Sequence, residues 1–183
     1  GSIDLTGTKL PELPRFGMRM ELHQPYENLV YYGRGPFENY IDRYSSSFIG
    51  RYEDKVENQF YWYTRPQETG NKTDVRWLSL LDSEGQGVRI TGLQPIAFSA
   101  LHFSPEDLDP GLTRKLQHTI DIVPQKNIFL HVDLKQRGLG GDNSWGMYPH
   151  NEYRLLDKKY TYSYMIELVE KGSDKNDYLN SRK

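Results

Sequence analysis

The dominant period along the chain is two. Met18, Met20 and Leu22 alternate with Arg19 and Glu21, and Ile128, Leu130, Val132 and Leu134 alternate with Phe129, His131 and Asp133. Tyr160, Tyr162, Tyr164, Ile166 and Leu168 alternate with Thr161, Ser163, Met165 and Glu167. Such alternation marks half-buried strands, because successive side chains leave an extended backbone on opposite faces. Shorter runs at 29–32, 75–81, 88–90, 96–101 and 118–123 predict further strands. Turn chemistry separates them: Gly33-Arg34-Gly35-Pro36, Ser83-Glu84-Gly85 and Pro124-Gln125-Lys126-Asn127. One short helix is predicted, with Ser104 as cap, Pro105 at the first helical position, Glu106 and Asp107 at the positive end, and Pro110-Gly111 as the stop. A second helical turn is predicted after Gly35-Pro36, running from Glu38 to Arg43. The pattern predicts an all-β fold of antiparallel strands stacked as a sandwich.

A chain of 183 residues suits one domain. Residues 11–170 form that domain in this reading, with a loose lead-in at 1–10 and a flexible tail at 171–183. Gly1-Ser2 reads as a tag remnant, so a missing leader peptide carries no meaning. Lys plus Arg number 23 against 25 Asp plus Glu, a formal charge of −2. That balance argues against an electrostatic grip on nucleic acid. No apolar run approaches the roughly 18 residues of a membrane span. The absence of cysteine excludes disulfides, zinc–thiolate centres and cysteine nucleophiles. It leaves both cytoplasm and periplasm open as compartments.

Three segments carry candidate chemistry. The richest is Arg137-Gly138-Leu139-Gly140-Gly141-Asp142-Asn143-Ser144-Trp145-Gly146, after the best-patterned strand. Its four glycines permit positive φ and close backbone approach. A Trp there can offer its flat face to the C–H face of a pyranose, with Asp142, Asn143 and Ser144 as hydrogen-bonding neighbours. It can equally fold back as a local lid. The loop is not a phosphate cradle, since GxxxxGK[ST] is absent. The second segment holds Glu38 and Asp42, four apart. They would share one helical face as an acid/base pair, or simply bind Arg34, Arg43 or backbone amides. The third, Arg65-Pro66-Gln67-Glu68-Thr69-Gly70-Asn71-Lys72-Thr73-Asp74-Val75-Arg76-Trp77, is polar and runs into a strand. It predicts a buried network rather than catalysis by Glu68 or Asp74. Asn71-Lys72-Thr73 is formally a glycosylation sequon. His23, His102, His118, His131 and His150 show no metal-binding spacing, and no metal site is predicted. If the face carrying Phe129, His131 and Asp133 lines a cleft, His131 could transfer protons. No GxSxG elbow exists for acyl transfer.

Five ordered motifs carry a resemblance. They are Leu13-Pro14-Arg15-Phe16-Gly17-Met18-Arg19-Met20, Tyr32-Gly33-Arg34-Gly35-Pro36-Phe37-Glu38-Asn39-Tyr40, the Arg65-to-Trp77 segment, Phe98-Ser99-Ala100-Leu101-His102 and Gly140-Gly141-Asp142-Asn143-Ser144-Trp145-Gly146. Together, over about residues 10–169, they resemble the C-terminal small-chain domain of bacterial β-galactosidases of glycoside hydrolase family 2. The resemblance implies a β-supersandwich related to galactose mutarotases. It implies a multidomain parent, a homo-oligomeric retaining enzyme hydrolysing terminal β-D-galactose residues. That parent would carry its catalytic glutamates on a TIM-barrel domain, and its Mg²⁺ and monovalent cation elsewhere. This chain alone would then hold no cofactor and be inactive. The resemblance also implies that Trp145 enters the active-site mouth and stacks on the galactoside. Two other classes compete. One is a free-standing aldose mutarotase or epimerase, with His131 or His102 and a glutamate as acid and base. The other is a non-catalytic carbohydrate-binding sandwich.

Overall fold

The computed structural model describes residues 1–109, 111, 117–143 and 145–172. Nine strands are described: β1 (Ser2–Asp4), β2 (Arg15–Leu22), β3 (Asn28–Gly35), β4 (Phe48–Lys55), β5 (Lys72–Leu81), β6 (Gly87–Leu101), β7 (Ile128–Gln136), β8 (Lys159–Thr161) and β9 (Tyr164–Val169). All pairings between them are antiparallel. The main sheet runs β2-β7-β6-β5-β3-β4, and β1 pairs with β8.

β6 is where the sheet forks. One edge of it follows β5 along most of its length. The other edge pairs Gly87 to Gly92 with β9 and Ala97 to Leu101 with β7. Pro95 sits between these two stretches, where its missing N–H costs no ladder bond. The fork turns one sheet into two leaves around a shared core. Leu29, Tyr31, Val75, Leu78, Leu80, Ile90, Ile96, Phe98, Ile128, Leu130 and Val132 fill that core, closed by Tyr162. The fold is an all-β antiparallel sandwich, as the alternation predicts. Met18, Met20 and Leu22 pack on the core, as their spacing requires. By the same alternation Arg15, Ser99, Phe129, His131 and Asp133 lie on the opposite face of β2, β6 and β7.

The local expectations divide. The helix forms at Pro105–Leu108 (α1), with a reciprocal capping box between Ser104 and Asp107. Of its predicted stop, Pro110 lies outside the described residues. The predicted turn from Glu38 to Arg43 is not helical; Tyr40 and Arg43 instead form an isolated bridge. The run 118–123 is not a strand. Asp121 accepts the His118 N–H at 2.8 Å and closes a 3₁₀ turn, leaving Ile120 and Val123 exposed. The first residues are tied down rather than loose: β1 pairs with β8, and Leu5 is buried with Leu155 and Tyr160. Most of the tail at 171–183 lies outside the described residues.

Candidate functional site

The polar Arg65-to-Trp77 segment turns inward around Glu38. The carboxylate of Glu38 accepts from Arg43 at 2.7 Å, from the Gly70 N–H at 2.7 Å, from the Thr69 hydroxyl at 3.1 Å, and from the Tyr63 hydroxyl. Asn39 adds a second knot. Its Oδ1 accepts from the Thr73 N–H at 2.9 Å and the Thr73 hydroxyl at 2.6 Å, while Asn71 donates to the Asn39 carbonyl at 2.8 Å. Lys72 is fully buried and donates to Gln59 at 3.0 Å. Burial lowers its pKa to about 8. Asp74 pairs with Arg34 at 2.5 Å. From Thr69 to Thr73 the segment is the buried network its composition predicts, and Asn71 is 1% exposed. Asp42 does not join Glu38, because the turn between them is not helical. The paired-carboxylate reading fails on that geometry.

Asp42 instead holds the glycine-rich loop. Its Oδ2 accepts the Gly140 N–H at 2.7 Å. A Cβ on Gly138 would stand 2.6 Å from the Asp42 carboxyl carbon, so only glycine permits this approach. The loop is also clamped where it leaves β7. Glu12 accepts from Arg137 and from Arg154, each at 2.7 Å. Both guanidiniums stack on the Tyr148 ring, at 5.7 and 4.7 Å. Burial alone would raise the Glu12 pKa, but the bonds from Arg154 and Arg137 outweigh it and hold the carboxyl below its usual range. Past the clamp, Asn143 accepts the Trp145 N–H at 2.8 Å, and Asp142 pairs with His150 at 2.8 Å. Gly146 adopts a φ of 102°, which an L side chain rarely tolerates. Trp145 itself is 91% exposed, the most exposed large apolar side chain among the described residues. It is not a lid folded onto the domain. Ser144 lies outside the described residues.

Beside this loop the non-core face of β2, β6 and β7 does line a cleft, of about 760 Å³. Arg15 is its hub. The guanidinium donates to His131 Nδ1 at 2.7 Å, to Glu68 at 3.1 Å and to Gln136 at 2.5 Å. It also lies 3.4 Å from the buried carboxylate of Asp133. Because arginine can only donate, His131 Nδ1 accepts, and the ring is neutral with its proton on Nε2. Burial, helped by the Arg15 charge, lowers the His131 pKa to about 4. Burial raises Asp133 to about 6, against the pull of Arg15. Burial also raises Glu68 above the usual carboxylate range. His102, the other histidine considered for acid/base work, is a staple. Its Nε2 meets Glu27 at 2.9 Å and its Nδ1 meets the Asn127 carbonyl at 3.1 Å. Sequence reading missed Arg15 and Gln136. The one available signal was the three non-core residues Phe129, His131 and Asp133 on a strand otherwise rich in core positions. Among the described residues, no three His, Asp or Glu side chains gather to hold a metal ion.

A two-leaved sandwich presenting its most exposed indole on a pinned loop is the architecture to be placed among known proteins. The family model described as β-galactosidase small chain matches residues 1–166. The chain is 35% identical over 159 residues to a β-galactosidase of Priestia megaterium, covering 86% of this chain and 15% of that protein. It is 35% identical over 150 residues to a β-galactosidase of Halalkalibacterium halodurans, covering 81% and 14%. It is 34% identical over 160 residues to one of Streptococcus thermophilus, covering 86% and 15%. The chain therefore belongs to the β-galactosidase small-chain family, as its motifs predicted. It spans about 15% of the length of these relatives.

Proposed function

We propose that this chain completes the substrate mouth of a multidomain bacterial β-galactosidase, with Trp145 stacking on the galactoside. The observation that carries this reading is the contrast within one loop, whose backbone is bonded at Gly140 and Trp145 while the indole stands 91% exposed. A ring held in water by a fixed backbone is already positioned for a ligand, so little ordering entropy opposes contact. The relatives are β-galactosidases, and their name supplies the ligand class, a β-galactoside. Asp142, engaged with His150, and Asn143, which accepts the Trp145 N–H, shape the loop. In this reading they act on sugar only through Trp145.

Hydrolysis with retention needs two carboxylates about 5–5.5 Å apart across the scissile bond. Of the carboxylates at the cleft, Glu68 and Asp133 both face Arg15. In this reading the catalytic pair, the Mg²⁺ and the monovalent cation belong to the rest of the enzyme, as the family resemblance implies. So do the barrel domain that partners this one and the oligomeric contacts. The test has two arms. The 183-residue chain alone should release no nitrophenol from a nitrophenyl β-galactoside. In the complete enzyme, Trp145→Ala should weaken a non-hydrolysable thiogalactoside while the protein stays folded. Hydrolysis by the chain alone, or unaltered thiogalactoside affinity, would overturn the proposal.

A further inference from the structure

The cleft around Arg15 is unused by the reading above. It combines three features. Its volume, about 760 Å³, is that of a small-ligand pocket. Its lining is mixed, with Leu101, Phe103 and Phe129 beside Ser99, His131 and Glu68. Its polar groups are fixed by one another yet keep unused valences. Arg15 holds Glu68, Gln136 and His131 in place. His131 Nδ1 is occupied by Arg15, and no hydrogen bond reaches its Nε2–H among the described residues. Asp133, only 1% exposed, accepts no hydrogen bond at either oxygen and balances Arg15 from behind. Buried polar groups normally find partners, so a preorganised set with spare donors and acceptors marks a place for a ligand.

Charge selects the class. One guanidinium at the hub faces two carboxylates, Glu68 and Asp133, and the histidine is neutral. At the walls Arg65 and Asp109 add one charge of each sign, and the charge of Arg137 is met by Glu12 at 2.7 Å. An anion would find no net positive field. A neutral ligand carrying several hydroxyls can accept from His131 Nε2–H, donate to Glu68, and lay an apolar C–H face on Phe129 and Leu101.

We infer that this cleft is a binding site for a neutral polyhydroxylated ligand of the monosaccharide class, built mainly on β2, β6 and β7, with Arg137 and Leu139 at the base of the Trp145 loop on its rim. It binds without turning the sugar over. The His131 nitrogen that could act as base is taken by Arg15, so no proton can be accepted there. The inference does not depend on the role proposed for Trp145.

The test titrates the 183-residue chain with D-galactose, methyl β-D-galactopyranoside and D-galacturonate, followed by amide NMR shifts. The expected result is saturable shifts at Ser99, Phe129, His131 and Gln136 with the two neutral sugars, at a Kd of about 1 mM. Trp145→Ala should leave that Kd unchanged. His131→Leu should weaken it about tenfold, as loss of one well-placed hydrogen bond can. Ser99→Val, a smaller change, should weaken it in the same direction if His131→Leu does not fold. Polarimetry should show no faster interconversion of α- and β-galactose. No saturable shift at these positions would overturn the inference. So would shifts that vanish in Trp145→Ala, galacturonate binding tighter than galactose, or accelerated mutarotation.

Discussion

The stretch from Thr69 to Thr73 and the loop from Arg137 to Gly146 are both polar and both carry glycine, yet the first is sealed inside and the second stands in water. Thr69, Asn71, Lys72 and Thr73 are all buried, whereas Trp145 is the most exposed large apolar residue described. The difference is where the partners come from. The first segment is met by Glu38, Asn39 and Gln59 across the fold, so its polar side chains find partners in the interior, Asn71 Oδ1 excepted. The second is met by Asp42 and Glu12 at its base, and beyond that by its own Asn143 and by His150 just after it. Polar composition therefore does not mark a site. What sets the second segment apart is a backbone held from one side while a large side chain remains uncovered.

Glu38→Ala should strike the buried side of this comparison hardest. It leaves the Gly70 N–H and the Thr69 and Tyr63 hydroxyls without their acceptor, a loss of about 3 kcal/mol. Denaturant unfolding should show it as a lowered midpoint, and a midpoint unchanged from wild type would break the contrast.

The cleft gives the next largest effect, through pH. His131 titrates near 4 in the fold and near 6.5 unfolded, so stability falls as pH drops from 6.5 towards 4. Asp133 runs the other way. Its folded pKa of about 6 exceeds the unfolded 3.8, so its contribution is present below pH 3.8 and lost as pH rises through 6. The two slopes oppose each other in the native protein. His131→Leu should therefore unmask a fall in stability between pH 4 and 6, and Asp133→Asn a rise, each on the order of 2 kcal/mol. Unfolding midpoints measured across that range check both signs.

Asp42→Ala should cost about 1 kcal/mol, the worth of one backbone hydrogen bond. Its sharper signature is faster hydrogen exchange at Gly140, with the core amides of β7 unchanged. Trp145→Ala is the smallest change in stability, within about 0.5 kcal/mol, because an exposed ring contributes little to folding. A melting temperature lowered by more than about 2 °C would mean the indole packs on the domain after all.

How much was legible in the sequence follows the range of the interactions. β2 and β7 were visible because every second residue is apolar and packs on the core. β4 was not, because it is an edge strand with Phe48 and Ile49 exposed and no apolar stripe facing the core. The run at 118–123 looked extended by composition, but Asp121 closed it locally. The exposure of Trp145 was suggested by its glycine-rich surroundings. The hub at Arg15 was not readable, because its partners lie 53, 116 and 121 residues away. The role of Asp42 was hidden for the same reason, at 98 residues from Gly140.

The most direct test of the central claim, that a flat aromatic face meets the sugar, is a ladder of substitutions at Trp145 in the complete enzyme. KM for a β-galactoside is measured for Trp145→Phe, Trp145→Leu and Trp145→Ala. The account predicts that Phe keeps most of the affinity, while Leu and Ala both raise KM about tenfold, since Leu restores bulk but no ring. A leucine variant equal to wild type, or three variants all equal to it, would contradict the account.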